Sequence, residues 1–246
     1  RLARGAAGLA GESGPSFRLW LDDWYISGGN AVFPWQVSAT TGQFGIQLEL
    51  TPRRDITLQG NNGFSQKSAA AGNASYYYSV TRLATIGSIT IGGNRYPVRG
   101  LSWLDREWST SALGPDQAGW DWFSLQLDSG EDLMYYQLRR IDGSIDPLSR
   151  GSWLGRDGDQ RSILPGNVKL TVLKYWQSPD GTRYPVRWRM ALTDPQREWI
   201  IAAAVDDQLM ETVVFYWEGA VNVLDAGNGK RVGRGYLEMT GYRQEK

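Results

Sequence analysis

The 246-residue chain contains no cysteine and no histidine. The first absence excludes disulfides, thiolate metal ligands and a cysteine nucleophile, and leaves the redox compartment open. The second removes Ser-His-Asp and Cys-His catalysis, imidazole ligands for zinc or iron, and the one side chain that titrates near neutrality unaided. Any proton transfer therefore falls to Asp, Glu, Tyr, Lys or water. Excess charge is missing as well: 26 basic residues balance 26 acidic ones, so no broad field holds a nucleic acid by counterion release. The longest apolar run, residues 199–205, is far short of the roughly 20 residues a membrane-spanning helix needs, and no signal peptide opens the chain. Neither a nucleic-acid partner nor a transmembrane segment is expected.

Aromatic residues and glycine are abundant: 12 Trp, 12 Tyr and 30 Gly. Rings pack well on a pleated surface and glycine supplies turns, so this composition points to β-sheets. Period-two alternation is cleanest at Phe44, Ile46, Leu48 and Leu50 against Gly45, Gln47, Glu49 and Thr51, a half-buried strand. Similar patterns predict strands over residues 17–25, 75–83, 88–91, 95–99, 120–128, 133–140, 168–176, 185–192, 198–205, 211–218 and 235–242. Hairpin turns are predicted at Gly92-Gly93-Asn94, Asp128-Ser129-Gly130, Asp142-Gly143, Asp157-Gly158, Asp180-Gly181 and Gly227-Asn228-Gly229. No helix longer than two turns is expected. Many short antiparallel strands imply a barrel or sandwich, where closing the sheet hides its edges. The pattern breaks near residues 111–119, which predicts a seam between two β units, residues 1–112 and 113–246. The opening residues, 1–8, lack an initiator Met and read as the interior of a longer chain.

The densest polar and aromatic segment is residues 103–111. In an extended conformation Trp103, Asp105 and Glu107 share one face, with the carboxylates about 7 Å apart, while Leu104, Arg106 and Trp108 take the other. Two readings stand. Aromatic walls can drive two carboxylate pKa values apart and give a proton donor and a base at one pH. Alternatively, Arg106 or another arginine neutralises these acids in a buried network that fixes the sheet.

Further on, Trp120, Trp122, Ser124 and Gln126 fall on one face of a strand and Asp121, Phe123, Leu125 and Leu127 on the other. The first face mixes rings with amides, as ligand pockets do. An Asp among apolar residues needs a partner or a task. Tyr136 follows across a hairpin, and Tyr76, Tyr77 and Tyr78 with Arg82 form a third aromatic cluster that suits either a strand or a ligand. The catalytic candidates are thus Asp105, Glu107 and Asp121. The ligand-binding candidates are Trp103, Arg106, Trp108, Trp120, Trp122, Gln126, Tyr77, Arg82 and Tyr136. Glu218 and Glu238 stand beside aromatics near the end of the chain and read as members of structural ion pairs. No phosphate loop, dinucleotide fingerprint, nucleophile elbow or calcium loop is present, and no metal site is expected.

The segments GLSWLDREWSTS (100–111) and GWDWFSLQL (119–127) resemble the bacterial family of AttH-like and carotenoid 1,2-hydratase proteins. Further matches are Leu58-Gln59-Gly60, residues 72–79, Tyr216-Trp217-Glu218-Gly219-Ala220 and residues 235–242. The resemblance implies two lipocalin-like antiparallel β-barrels in tandem. It also implies an N-terminal block of strands that this chain lacks, so that the first barrel is incomplete and needs that segment or a partner chain to cover its edges. Arg106 stands where hydratase-like members carry His. Guanidinium stays protonated, so Arg106 can hold a carboxylate or an anion but cannot shuttle a proton.

The leading functional expectation is a pocket, lined by aromatic residues, that binds an apolar small molecule such as a polyene, terpenoid or lipid. The alternatives are a cofactor-free hydratase of the carotenoid 1,2-hydratase kind, a pericyclase-like cyclase, and an assembly module of the cell envelope. In the hydratase, a neutral carboxyl protonates an alkene, rings stabilise the cation and a second carboxylate deprotonates the attacking water. Location in the periplasm or cell envelope follows from the resemblance alone.

Overall fold

Alternating side chains and glycine turns make strands along the whole chain. The computed structural model describes every residue except 1–2, 4, 6–7, 14–15, 30–32, 71, 110–112, 212–214 and 244–246. Among the described residues it contains 19 strands and one turn of 3-10 helix, Pro165–Asn167. The first sheet comprises β1 (Ala10–Ser13), β2 (Arg18–Leu21), β3 (Trp24–Ser27), β4 (Trp35–Thr41), β5 (Phe44–Pro52), β6 (Thr57–Leu58), β7 (Phe64–Gln66), β8 (Ala74–Ile91) and β9 (Asn94–Ser109). Strands β1 to β5 follow one another; β5 passes to β8, which also pairs with β6, β7 and β9.

The second sheet comprises β10 (Gln117–Leu127), β11 (Asp132–Arg140), β12 (Arg150–Leu154), β13 (Gln160–Ile163), β14 (Val168–Gln177), β15 (Arg183–Thr193), β16 (Gln196–Ala203), β17 (Leu209–Glu211), β18 (Phe215–Asp225) and β19 (Arg231–Met239). Its order is β13-β12-β11-β10-β19-β18-β16-β15-β14, with β17 on β18. The expected all-β class with antiparallel sheets is therefore what the structure shows.

Local differences have local causes. The strand expected over residues 17–25 is a hairpin, because Asp22 takes a left-handed φ of 54° and turns the chain between β2 and β3. Residues 75–83 and 88–91 form one strand, β8. Strand β9 runs on from residues 95–99 through Trp103, Asp105 and Glu107. The predicted turn at Asp157-Gly158 is present, with Gly158 at φ 88°, but its flanking strands β12 and β13 were not foreseen. The strand expected over 211–218 includes residues 212–214, which lie outside the described set.

By contacts the chain falls into two units, one of Arg1–Thr57 with Ser79–Asp105 and one of Leu58–Tyr78 with Arg106–Lys246. The division does not run at residue 112, and Ser111 and Ala112 of the expected seam lie outside the described residues. Segment 58–78 belongs to the second unit because its polar groups are satisfied there. Ser152 Oγ donates to Gln59 Oε1 at 2.7 Å, Gln117 Nε2 donates to the Lys67 carbonyl at 2.7 Å, and Ser65 Oγ lies 3.0 Å from Tyr136 OH.

Within the first unit Trp35, Leu50, Val80 and Leu83 form the core, with Phe17 and Phe33 stacked on Trp35. Beyond this core the same unit has an open apolar groove of about 410 Å³ lined by residues that include Trp24, Phe44, Ile46, Ile89 and Ile91. The expected completing segment or partner chain concerns this unit. In the second unit the odd positions of β10 and β19 turn inward, where Phe123, Leu125, Leu237 and Met239 join Trp153, Trp188, Trp199 and Trp217. Trp153 stacks on Trp199 at 5.8 Å and Phe123 meets the edge of Trp188. At about 1.5–3 kcal/mol for each fully buried large side chain, this packing is the main stabilising term. The enclosed face is thus filled with side chains, and Trp120 and Trp122 stand on the other face.

Candidate functional site

That other face of the second sheet carries a polar and aromatic cluster that the ladder register assembles. Trp122 lies opposite Tyr136 on β11 and Glu238 on β19, and Glu238 lies opposite Glu218 on β18. Directly paired residues share a face, so Tyr136, Trp122, Glu238 and Glu218 form one rung. Strand β19 can lie this close to β10 because Gly235 has no side chain: a Cβ there would come within 2.1 Å of the Ser124 carbonyl oxygen.

Glu238 is partly buried, and Trp120 Nε1 donates a hydrogen bond to its Oε1 at 2.8 Å. Burial pushes its carboxyl up from the ordinary value; the Trp120 hydrogen bond opposes this less strongly, and the negative charge of Glu107 adds to the rise. Glu218 is pushed up by burial and by Glu238. Among the described residues neither Glu218 nor Glu238 meets a basic side chain within ion-pair distance. The expectation that they sit in structural ion pairs is corrected here, because the register pairs them with each other.

The Trp120 and Tyr216 rings lie 6.3 Å apart. Burial, then Glu218 and Glu238, push the Tyr236 phenol up to about 12, and burial and the same two carboxylates raise Tyr216. Both phenols keep their protons at neutral pH and can donate them in hydrogen bonds.

Glu107 meets Lys67 Nζ at 2.6 Å and accepts a hydrogen bond from Ser75 Oγ on β8. Lys67 is buried, and its ammonium sits 4.3 Å over the Tyr136 ring and 5.2 Å over the Tyr77 ring, a desolvated cation–π arrangement. Tyr77 OH accepts a hydrogen bond from Trp122 Nε1 at 3.1 Å. Glu107, Tyr77, Tyr136, Trp120 and Trp122 are thereby brought to one face, where Glu107 is paired with Lys67 and the Glu238 carboxyl is pushed up. The arrangement can give a proton and take one.

The other expected site residues lie elsewhere. Asp121 points into the core side and is fully buried; Arg139 Nε pairs with it at 3.2 Å, Tyr242 OH donates at 2.8 Å and Gln137 Nε2 at 3.4 Å. Burial raises its carboxyl, and Arg139 and the two donors oppose that rise. The arginine weighed as a partner for Asp105 and Glu107 is replaced at Glu107 by Lys67, and Asp121 is the acid that pairs with an arginine, Arg139. Asp105 accepts from Ser79 Oγ within the first unit, to which Trp103 and Arg82 also belong. Arg106 lies 5.1 Å over the Trp108 ring, and Trp108 is exposed beside Tyr78 at 5.8 Å. Gln126 stands on the same face as Trp122, two rungs away.

Lys67, Ser65 and Ser75 had no signal in the sequence, since nothing local marks a loop lysine as buried. Glu218 and Glu238 had one: the predicted turn at residues 227–229 lies midway between them, and folding the hairpin about it sets them opposite. Among the described residues no group of three or more acidic side chains converges to hold a metal ion, and no helix is long and apolar enough to cross a membrane.

The chain belongs to the AttH-like family, whose model matches residues 1–242. The solved structure of a Nitrosomonas europaea protein named as an AttH superposes with a TM-score of 0.84 at 37% identity, covering 92% of this chain and 70% of that one. Kievitone hydratase from Nectria haematococca superposes with a TM-score of 0.72 at 14% identity, covering 92% of this chain and 71% of that one, a likeness of fold. In sequence, the kievitone hydratase of Fusarium solani subsp. phaseoli is 24% identical over 173 residues, 67% of this chain and 48% of that protein. The chain thus spans about half the length of that curated relative.

Proposed function

We propose that this chain adds water across a carbon–carbon double bond of an apolar, unsaturated small molecule, using its own carboxyl groups. The observation that carries this is the contrast between Glu238, whose carboxyl is pushed up with no base beside it, and Glu107, paired to Lys67 near enough for its charge to act on Glu238. Two carboxyls in opposed environments are the signature of an acid and a base working at one pH.

In the proposed reaction neutral Glu238 gives its proton to one alkene carbon, and the electron pair of the double bond forms the new C–H bond. The cation left on the other carbon is held by the faces of Trp120 and Tyr216. Water attacks that carbon and loses a proton to Glu107. The proton returns from Glu107 to Glu238 through solvent, so the sum is one water added. Similarity to proteins named hydratases supports the reading. A carrier that binds the same molecule unchanged would use the same rings, but rings alone give no reason to bury Glu238 and Glu218 without a counter-charge. Placement in the periplasm or cell envelope goes with the family resemblance and is checked by cell fractionation.

The test incubates the protein with acyclic polyenes, terpenoids and unsaturated fatty acids in heavy-oxygen water and looks for labelled alcohol by mass spectrometry. A labelled hydrate that disappears in Glu238→Gln and Glu107→Gln is expected. Saturable quenching of tryptophan fluorescence without any hydrate would make the chain a carrier and end the hydration reading.

A further inference from the structure

The outward positions of β19 are Arg234, Tyr236 and Glu238, and they differ in charge from one end to the other. Gln126 on β10 and Asn222 on β18 lie directly opposite Arg234. Tyr236 is flanked by the small Ser124 and Ala220 and is 40% exposed, so its ring is open to a ligand lying along the strand. Four residues of antiparallel strand put Arg234 about 14 Å from Glu238. Arg234 is exposed and makes no ion pair among the described residues. At the other end stand Glu238, Glu218 and Glu107.

We infer that Arg234 determines specificity by binding the anionic head of an unsaturated, chain-like molecule whose double bond lies over Glu238. This deepens the hydration reading and rests on it for the reacting end. The guanidinium fixes the orientation, because it attracts an anion and pairs well with a carboxylate, whereas the other end gathers acidic side chains. The apolar chain then runs over Tyr236, whose phenol stays protonated and adds no charge along the path. Gln126 and Asn222 supply amides on either side of the head.

The probes are trans-parinaric acid, a polyene fatty acid, and its methyl ester, with binding followed by energy transfer from tryptophan. The folded wild-type chain is expected to bind the acid about tenfold more tightly than the ester, as one charge-assisted contact implies. Arg234→Met should abolish that preference while ester affinity is unchanged, Arg234→Lys should keep part of it, and added salt should weaken the acid alone. Equal affinities in the wild type, a preference that survives Arg234→Met, or no binding of either probe overturns the inference. Glu238→Gln separates the two claims: it should leave the preference for the acid intact while turnover is lost. An intact preference with no turnover in any variant removes the hydration reading only. Hydration of neutral substrates that ignores Arg234→Met, with no acid preference, removes the role of Arg234 only.

Discussion

Glu218 and Glu238 face each other across the β18–β19 ladder, and the charge of Glu238 raises the Glu218 carboxyl beyond what burial does. Like charges placed directly opposite on a sheet are unfavourable, so this pair opposes folding once both carboxyls are ionised. The folded-state values lie above the ordinary 4.5. Between that value and the raised ones the folded chain binds more protons than the unfolded chain, so stability falls as pH rises. The stabilising contribution is complete below the ordinary value and gone above the folded-state values. Urea titrations from acid to alkaline pH should show this descending limb, and Glu218→Gln or Glu238→Gln should flatten it and raise Tm above the limb, by roughly 2–4 °C per kcal/mol recovered. A limb unchanged in both variants would dissociate the pair from it.

Glu238→Gln acts oppositely on activity. Glu238→Gln removes the proton donor and Glu107→Gln the acceptor, and each should lower kcat by about 10²–10⁴-fold with little change in KM, because a neutral amide of equal size keeps the binding surface. A Glu238→Gln protein that is more stable and inactive is the expected signature of a site that holds strain for chemistry. Steady-state kinetics on the identified substrate check it; a change confined to KM would assign Glu238 to binding.

Gly235 is where close strand approach sets the site. An added Cβ meets backbone, the Ser124 carbonyl oxygen at 2.1 Å and the Leu125 Cδ2 at 2.7 Å, so it cannot be relieved by a side-chain rotation alone. Gly235→Ala should destabilise the protein by about 1–3 kcal/mol, as overpacking of a filled core does, and should loosen the Trp120–Glu238 hydrogen bond. Denaturation measures the first effect and a red shift of tryptophan emission the second. Unchanged stability would mean that β19 can shift freely.

How much of this was legible depends on the range over which each signal acts. Alternation and glycine turns are local, and they located most of the strands, the hairpins and the inward face of Phe123, Leu125 and Leu127. The flanks of the Asp157-Gly158 turn were missed because Arg150–Leu154 and Gln160–Ile163 are too short and too polar to show a period. The site depends on pairing at a distance. Trp122, Tyr77, Tyr136 and Glu107 could be named as an aromatic and acidic set, but Lys67, which joins Glu107 to both tyrosines, carries no local mark. Asp121 shows the reverse: its placement among apolar residues demanded a partner, and the sequence could not tell that Arg139, Tyr242 and Gln137 meet it on the enclosed side.

Asp121 therefore serves as the control for the proposed chemistry. Its carboxylate is fully buried, and the guanidinium of Arg139, which lies 3.9 Å over the Tyr242 ring and donates to the Thr240 carbonyl, is fixed partly by it. Asp121→Ala leaves Arg139 and the Tyr242 hydroxyl without their acceptor and should destabilise by about 3–5 kcal/mol, the usual loss when one partner of a buried pair is removed. Asp121→Asn keeps an acceptor oxygen for Tyr242 and should cost less. In both variants the activity per folded molecule should stay within a few fold of wild type, because the side chain is on the opposite face of β10 from Trp120 and Trp122. Turnover normalised to the folded fraction measured by urea denaturation decides this: a loss of activity in a stably folded Asp121→Asn protein would return Asp121 to the catalytic set and require a path for protons through the sheet.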